Sequence, residues 1–464
     1  MRARNLLLTA MALTVMAAAP AEAKKKKNQP PPVPVRPAPI LALSSPNAAA
    51  VNYFYERRQE APIWFTAAGG TAATADLLAI LRNAGIDGLP TGPQTAAQVE
   101  AYVLKAQGGD ALAVKTAERA LTNAWVDYVQ ALERPNTNVV WGDPSLTLKP
   151  SHPDRIMALL AAAPQINAHL KAVSAVNPIY AALRSAAFAE AAANGGVAST
   201  PVLLNLERAR IIPATGKFIL VNTAEQRLHM YENGQDVGSM KVVVGNKDRD
   251  NLPTPIIAST MHYAIANPYW HVPDHLVRRW LPSIVKQKDA YLKARNYEII
   301  SDFSENARVI PTSEVDWDAV ASGRTKLLLR QRPGGANSMG RMKFPFPNVE
   351  GIYLHDTPKK EYFAKTDRAL SNGCVRVEDY RRLAHWVFGR DPDAVGSAPE
   401  QHMVLPRGIP VYVSYLTMVP GSDGQLTKFE DRYRWDRPGA LANGRDTSTT
   451  YGVAAAASGA APAN

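Results

Sequence analysis

Two periodicities divide this chain. From Val51 to about Arg210, apolar residues return every three or four positions, as in Ala75–Leu81 and Ala117–Val129. That spacing lines one face of an α-helix. Pro153 and Asp154 open a further helical stretch to Ala163, where a missing N–H costs nothing and a negative charge meets the helix dipole. Gly85, Gly88-Leu89-Pro90 and Asn194-Gly195-Gly196 punctuate the pattern. This half carries neither metal-ligand spacing nor paired catalytic carboxylates, so residues 51–210 read as a helical scaffold whose aromatics form core.

From Lys217 the period changes. Lys217–Asn222, Gln226–Tyr231 and Lys241–Gly245 read as strands, and Asn233-Gly234 marks a hairpin turn. His229 falls on an exposed polar position of an alternating strand. Strand-like segments resume around Ala258–Ile265, after the break at Asn251–Pro255. Asn267 to about Gly340 then breaks the rhythm with prolines, tryptophans and a Lys-rich helical piece at Ile284–Ala294. A span this long between strands reads as a lid or binding loop. Phe346–His355 returns to strand, Asp379–Phe388 reads as helix and Gly408–Tyr415 as a last strand. Residues 421–464 read as a disordered Gly/Ser/Ala-rich tail. The fold class expected is α+β: a helical scaffold, then a mostly β domain over 211–420 with a capping loop at about 267–340.

The N-terminus changes the setting. Arg2 and Arg4 precede an apolar run of fourteen residues, Leu6–Ala19, and Ala21-Glu22-Ala23 fits a cleavage site. The run is shorter than the ~18–20 residues that span a bilayer. Residues 1–23 therefore read as a secretory signal and 24–50 as a Lys- and Pro-rich tether. The expected fate is export, with membrane contact only through the signal if it stays uncleaved. The signal lacks the cysteine that a lipoprotein needs.

Formal net charge is +11; Arg2, Arg4 and Glu22 contribute +1, leaving +10 after the signal. An exported basic protein is drawn to anionic surfaces such as cell-wall polymer, and export argues against nucleic acid. The single cysteine excludes an internal disulfide and C-x-x-C redox exchange.

That cysteine is the centre of the candidate chemistry. Cys374 follows His355 by nineteen positions within I-Y-L-H-D-T-P … S-N-G-C-V-R. A thiol attacks carbonyls as thiolate and needs a base or a cation beside it. His355 supplies the base, and Arg376, two residues on, shares a face with Cys374 in an extended chain. Arg376 can lower the thiol pKa or grip a carboxylate. Gly373 permits close backbone approach, with N–H groups at such a turn able to hold an oxyanion. Tyr269, Trp270 and Trp280 either line a site or pack as core. His262, His271 and His275 lack an H-E-x-x-H spacing and read as structural histidines, with no metal expected.

The His355 … Ser371-Asn372-Gly373-Cys374-Val375-Arg376 arrangement resembles the L,D-transpeptidase catalytic domain of the YkuD type. Asn267–Pro273, Leu354–Pro358 and Asn205–Arg210 narrow the resemblance to the large periplasmic YcbB-type branch, with its helical scaffold and capping loop. The family commonly has histidine immediately before the Gly-Cys pair, where this chain has Asn372. Many members of the branch also insert a peptidoglycan-binding module, for which Tyr180–Asn205 leaves no room.

The resemblance implies acyl transfer on peptidoglycan stem peptides without a cofactor. Cys374 would be the nucleophile, His355 the base and later acid, and the backbone carbonyl of Asp356 the group orienting the imidazole. Gly373 and Asn372 would serve oxyanion or substrate binding, with Arg376 contacting a stem-peptide carboxylate or the loop. Trp270 and Tyr353 would shield the acyl-enzyme from water. The acceptor stays open: a second stem peptide gives 3→3 cross-links, an outer-membrane protein gives anchoring, and water gives hydrolysis. A non-catalytic wall-binding scaffold is the rival from another class.

Overall fold

The computed structural model describes residues 45–66, 70–135, 138–248, 252–304, 306–392, 396–421, 423 and 425–437. The expected signal, residues 24–44 of the tether and residues 438–464 of the tail lie outside these. Among the described residues no helix is long and apolar enough to cross a membrane.

The first half folds as helices α1 (Ala48–Arg57), α2 (Gly70–Arg82), α3 (Gly92–Ala106), α4 (Ala111–Leu132), α5 (Pro153–Ala162), α6 (Ile166–Ala175), α7 (Pro178–Ala193) and α8 (Thr200–Ala209). Helix α1 starts inside the span read as tether. Helix α4 organises the others: Asp110 caps it by accepting the Ala113 N–H at 2.8 Å, and Leu121, Trp125 and Val126 are fully buried along it. Glu118 is buried on the same helix. Burying a carboxylate is costly unless donors surround it, and here the N–H groups of Ile63 and Phe65 and the Tyr55 hydroxyl donate to it.

A short strand, β1 (Val140–Trp141), leaves the helical half and pairs in parallel with β5 of the second. The second half begins with β2 (Lys217–Asn222), β3 (Arg227–Glu232), β4 (Gln235–Gly245) and β5 (Ile257–Ala266). At the β3–β4 turn Asn233 and Gly234 both take positive φ, which a two-residue hairpin demands.

The span read as a loop is a folded insertion. It contains β6 (Trp270–His271), α9 (Asp274–Gln287), α10 (Asp289–Arg295), β7 (Tyr297–Ile300), β8 (Val309–Ile310), α11 (Trp317–Ala321) and β9 (Leu329–Gln331). Its strands form a sheet in the order β6-β9-β7-β8 over a core including Val272, Leu276, Ile284, Ile299 and Leu329. The sequence hid this because its strands are two to four residues long, too short to show alternation. Asn337, buried at the neck, donates through Nδ2 to the carbonyls of Pro268 and Arg332 and so ties the two ends together.

Then come β10 (Met342–Pro345), β11 (Tyr353–His355), β12 (Ala369–Ser371), β13 (Val375–Val377), α12 (Tyr380–Phe388) and β14 (Gln401–Ser414), followed by β15 (Met418–Pro420) and β16 (Leu426–Lys428). Pairing runs β5-β10-β11-β13-β4-β3-β2-β14, and β14 pairs again with β5 to close a ring. Ile219, Val221, Leu228, Val242, Val244, Leu354, Val375 and Val411 belong to one buried cluster inside it.

Two further sequence expectations need correcting. Residues 421, 423 and 425–437 are ordered, because Tyr433 and Trp435 bury their rings against Tyr415, at 4.9 and 5.0 Å. Arg208 of α8 ties this segment down by donating to the Trp435 carbonyl and pairing with Asp436. His229 is half-buried, not exposed: Glu225 and Asp236 clamp its two ring nitrogens at 2.9 and 2.7 Å.

Candidate active site

Strands β11 and β13 lie side by side in parallel, with Leu354 opposite Val375 and His355 opposite Arg376; Lys343 of β10 sits opposite His355 on the other side. Side chains alternate along a strand. Leu354, Val375, Met342 and Phe344 take the interior of the ring, so Tyr353, His355, Lys343 and Arg376 take its outer face. Cys374 stands one position before Val375, where Tyr353 offers its sulfur both a backbone N–H and a hydroxyl. The thiol itself donates to the Gly351 carbonyl at 3.7 Å.

His355 is buried, and its Nδ1 lies 2.5 Å from the Asp356 carbonyl oxygen. A carbonyl only accepts, so Nδ1 carries the hydrogen and Nε2 is left with the lone pair. Asp356 is held in turn: its N–H donates to the Met342 carbonyl at 2.8 Å, and its carboxylate takes the Arg341 N–H at 2.8 Å and Lys360 Nζ at 2.7 Å. Gly340 packs on that carboxylate at φ +63°, where a Cβ would fall 2.3 Å from Oδ2.

Burial, then the positive charges of Arg376 and Lys343, push the imidazole down to about 3, against the pull of the Asp356 carbonyl. Burial also pushes the Cys374 thiol up, overriding the opposite influence of Tyr353, Lys343 and Arg376. At neutral pH both groups therefore rest uncharged, a thiol and a neutral imidazole that each meet Tyr353. Such a pair reacts by handing a proton from sulfur to Nε2 as a bond to carbon forms.

The turn before the thiol is stitched inward. Gly373 takes φ +115°, which only glycine adopts without strain. Its N–H donates to Ser371 Oγ at 3.2 Å, and the same hydroxyl donates to the Cys374 carbonyl at 2.6 Å. The Gly373 N–H expected to face an oxyanion is thus engaged within the turn. Its carbonyl accepts from Thr254 Oγ1 at 2.7 Å, and Thr254 Oγ1 accepts the Gly245 N–H at 2.8 Å. Asn372 sits half-buried in this turn.

Trp270 arrives from the folded insertion and hydrogen-bonds the Tyr353 hydroxyl. Its ring packs near Trp280 and Tyr297, at 6.2 and 6.3 Å, so it serves core and site together. The guanidinium of Arg376 lies 5.4 Å from the centre of the Tyr362 ring. Sequence reasoning missed Lys343, Thr254 and Tyr362. Only Lys343 left a signal: a lysine between Met342 and Phe344 on one alternating strand must share the face of its neighbour His355. Among the described residues no group of three or more His, Cys, Asp or Glu side chains is placed to hold a metal ion.

Two family descriptions match this chain: the L,D-transpeptidase catalytic domain (YkuD) over residues 216–412, and the Scaffold domain over residues 49–186. A Haemophilus influenzae protein named "Putative L,D-transpeptidase" is 26% identical over 393 residues, 82% of this chain and 77% of that one. Among solved structures, the L,D-transpeptidase from Mycobacterium smegmatis is 10% identical over 43% of this chain and 59% of its own, with a TM-score of 0.22. The L,D-transpeptidase LdtMt1 in complex with imipenem is 10% identical over 43% of this chain and 60% of its own, with a TM-score of 0.21. The matches span less than two thirds of either solved chain.

Proposed function

Residues 216–412 belong to the family of L,D-transpeptidase catalytic domains and residues 49–186 are a Scaffold domain, and on that basis we propose that this protein cross-links peptidoglycan through a Cys374 thioester. The observation that carries the proposal is the fixed tautomer of His355, its Nδ1–H on the Asp356 carbonyl, in a ring packed on Tyr353, the residue that hydrogen-bonds the Cys374 sulfur.

As the sulfur attacks the carbonyl between the third stem residue and the terminal D-alanine, its proton passes to Nε2. The Tyr353 hydroxyl, released from the sulfur as the thiol becomes a thioester, is the donor for the developing oxyanion. Imidazolium then gives the proton to the D-alanine amine, the C–N bond breaks and a thioester remains. Trp270 shields it from water. An acceptor amine attacks the thioester and the thiol re-forms. No cofactor enters.

The acceptor that best suits this reading is a second stem peptide, giving 3→3 links; an outer-membrane protein amine and water use the same thioester. The work is done in the periplasm after export by residues 1–23, and the scaffold points to the YcbB-type branch. Disaccharide-tetrapeptide should load the purified protein as a thioester seen by intact mass, with D-alanine released and both events abolished in Cys374→Ala. Imipenem, bound by one solved relative, should add to the same thiol. Wild-type protein that forms no adduct with the peptide overturns the reading.

A further inference from the structure

Across β10, β11 and β13 the register puts Lys343, His355 and Arg376 in one row on the outer face. The base is therefore flanked by a cation on each side. Lys343 Nζ lies 4.3 Å from the centre of the Tyr353 ring, the residue that hydrogen-bonds the Cys374 sulfur. Tyr353 and His355 stand edge to face at 5.7 Å, which keeps ammonium, phenol, imidazole and thiol in one group.

Burying a cation is costly without an anion beside it. Glu400 is the carboxylate that acts on Lys343, and it also accepts the Tyr269 N–H. Among the described residues Arg376 Nε is buried without a hydrogen-bond partner. Glu400 answers Lys343 and Tyr362 and Glu361 act on Arg376, yet Arg376 Nε still lacks a partner, so donor capacity in this row is left for a substrate anion.

We propose that Lys343 receives the terminal carboxylate of the departing D-alanine, Arg376 completing a positive row that selects a donor with an anionic leaving group. This rests on the acyl-transfer reading above. The carboxylate is attached to the Cα that bears the leaving nitrogen, so it reaches the row as the scissile carbonyl reaches Cys374. Its negative charge offsets the two cations that oppose protonation of His355. The base consequently gains proton affinity when a correctly charged donor is seated, and loses it when D-alanine departs with its carboxylate. Lys343 is the specificity-determining residue.

The test compares disaccharide-tetrapeptide ending in free D-alanine with the same peptide ending in D-alaninamide, in wild-type protein, Lys343→Met and Lys343→Arg. Wild type should prefer the acid in kcat/KM by roughly 10–100-fold, the range of one charge-assisted hydrogen bond. Lys343→Met should lose most of that preference, chiefly through a raised KM for the acid, and Lys343→Arg should keep it. The comparison in unaltered protein needs no variant to fold. Equal turnover of acid and amide by wild type overturns the proposal while acyl transfer stands, as does an acid preference that survives in Lys343→Met. Absence of a thioester with either peptide overturns acyl transfer, and the proposal with it.

Discussion

The carbonyl oxygen of Asp356 accepts a hydrogen bond from Nδ1 of His355, its own chain neighbour, at 2.5 Å. The orienting group of this imidazole is thus main chain, set by the strand end and not by a free carboxylate. The Asp356 carboxylate acts one step back, gripping Arg341 N–H and Lys360 Nζ so that the carbonyl cannot turn away.

Gly340 tests that arrangement. Gly340→Ala puts a methyl onto the Asp356 carboxylate at a left-handed backbone, a conformation that costs an L-residue roughly 1–2 kcal/mol. Thioester formation should slow by more than the stability loss accounts for, because the imidazole loses its fixed tautomer. Single-turnover acylation read beside urea unfolding checks this; an unchanged acylation rate would sink it.

Acid should unfold the catalytic domain partly through His355. Burial holds its folded pKa at about 3, below the ~6.5 of an unfolded histidine. The unfolded chain binds the proton first, so this contribution is full above about pH 6.5 and is lost as pH falls toward 3. The slope approaches ~1.4 kcal/mol per pH unit. Denaturant unfolding at pH 7, 5.5 and 4 should show it in wild type and not in His355→Asn; equal slopes count against it.

His229 should give the opposite trend. Burial lowers its pKa, but hydrogen bonds and charge from Asp236 and Glu225 outweigh that and raise it to about 9. The folded chain holds this proton more tightly, so the stabilisation is present below pH ~6.5 and lost as pH rises through 9. Melting temperatures between pH 6.5 and 9.5 should fall less in His229→Gln than in wild type, and parallel curves would refute this.

Tyr433 links the C-terminal segment to the nucleophile turn. Its hydroxyl donates to the Gly245 carbonyl at 2.8 Å, and Thr254, which holds the Gly373 carbonyl, sits at the same corner. Tyr433→Phe leaves that carbonyl unsatisfied and should cost about 1–3 kcal/mol. Acylation of Cys374 should slow several-fold; a destabilised variant acylating at the wild-type rate would show that the segment only adds stability.

Much of the fold was legible because apolar runs mark buried elements. Helix α4 and strands β2 and β5 fall on such runs and are buried on nearly every side. The hairpin at Asn233-Gly234 was legible for a different reason, its need for positive φ. The folded insertion was not, since its short strands gain their partners only from residues distant in sequence. The ordered segment to residue 437 escaped too: Tyr433 and Trp435 have no local period, and what orders them is Tyr415 and Arg208.

By itself the sequence determined which chemistry is available: one thiol, a histidine within the same motif, and a glycine at the turn. Tertiary structure decided what state that chemistry rests in. Strand pairing set Lys343 and Arg376 on either side of His355, and burial removed the water that would screen them. Residue types and spacing carry identity and local conformation. Proton affinity depends on charges and desolvation contributed by strands that meet only in the folded sheet.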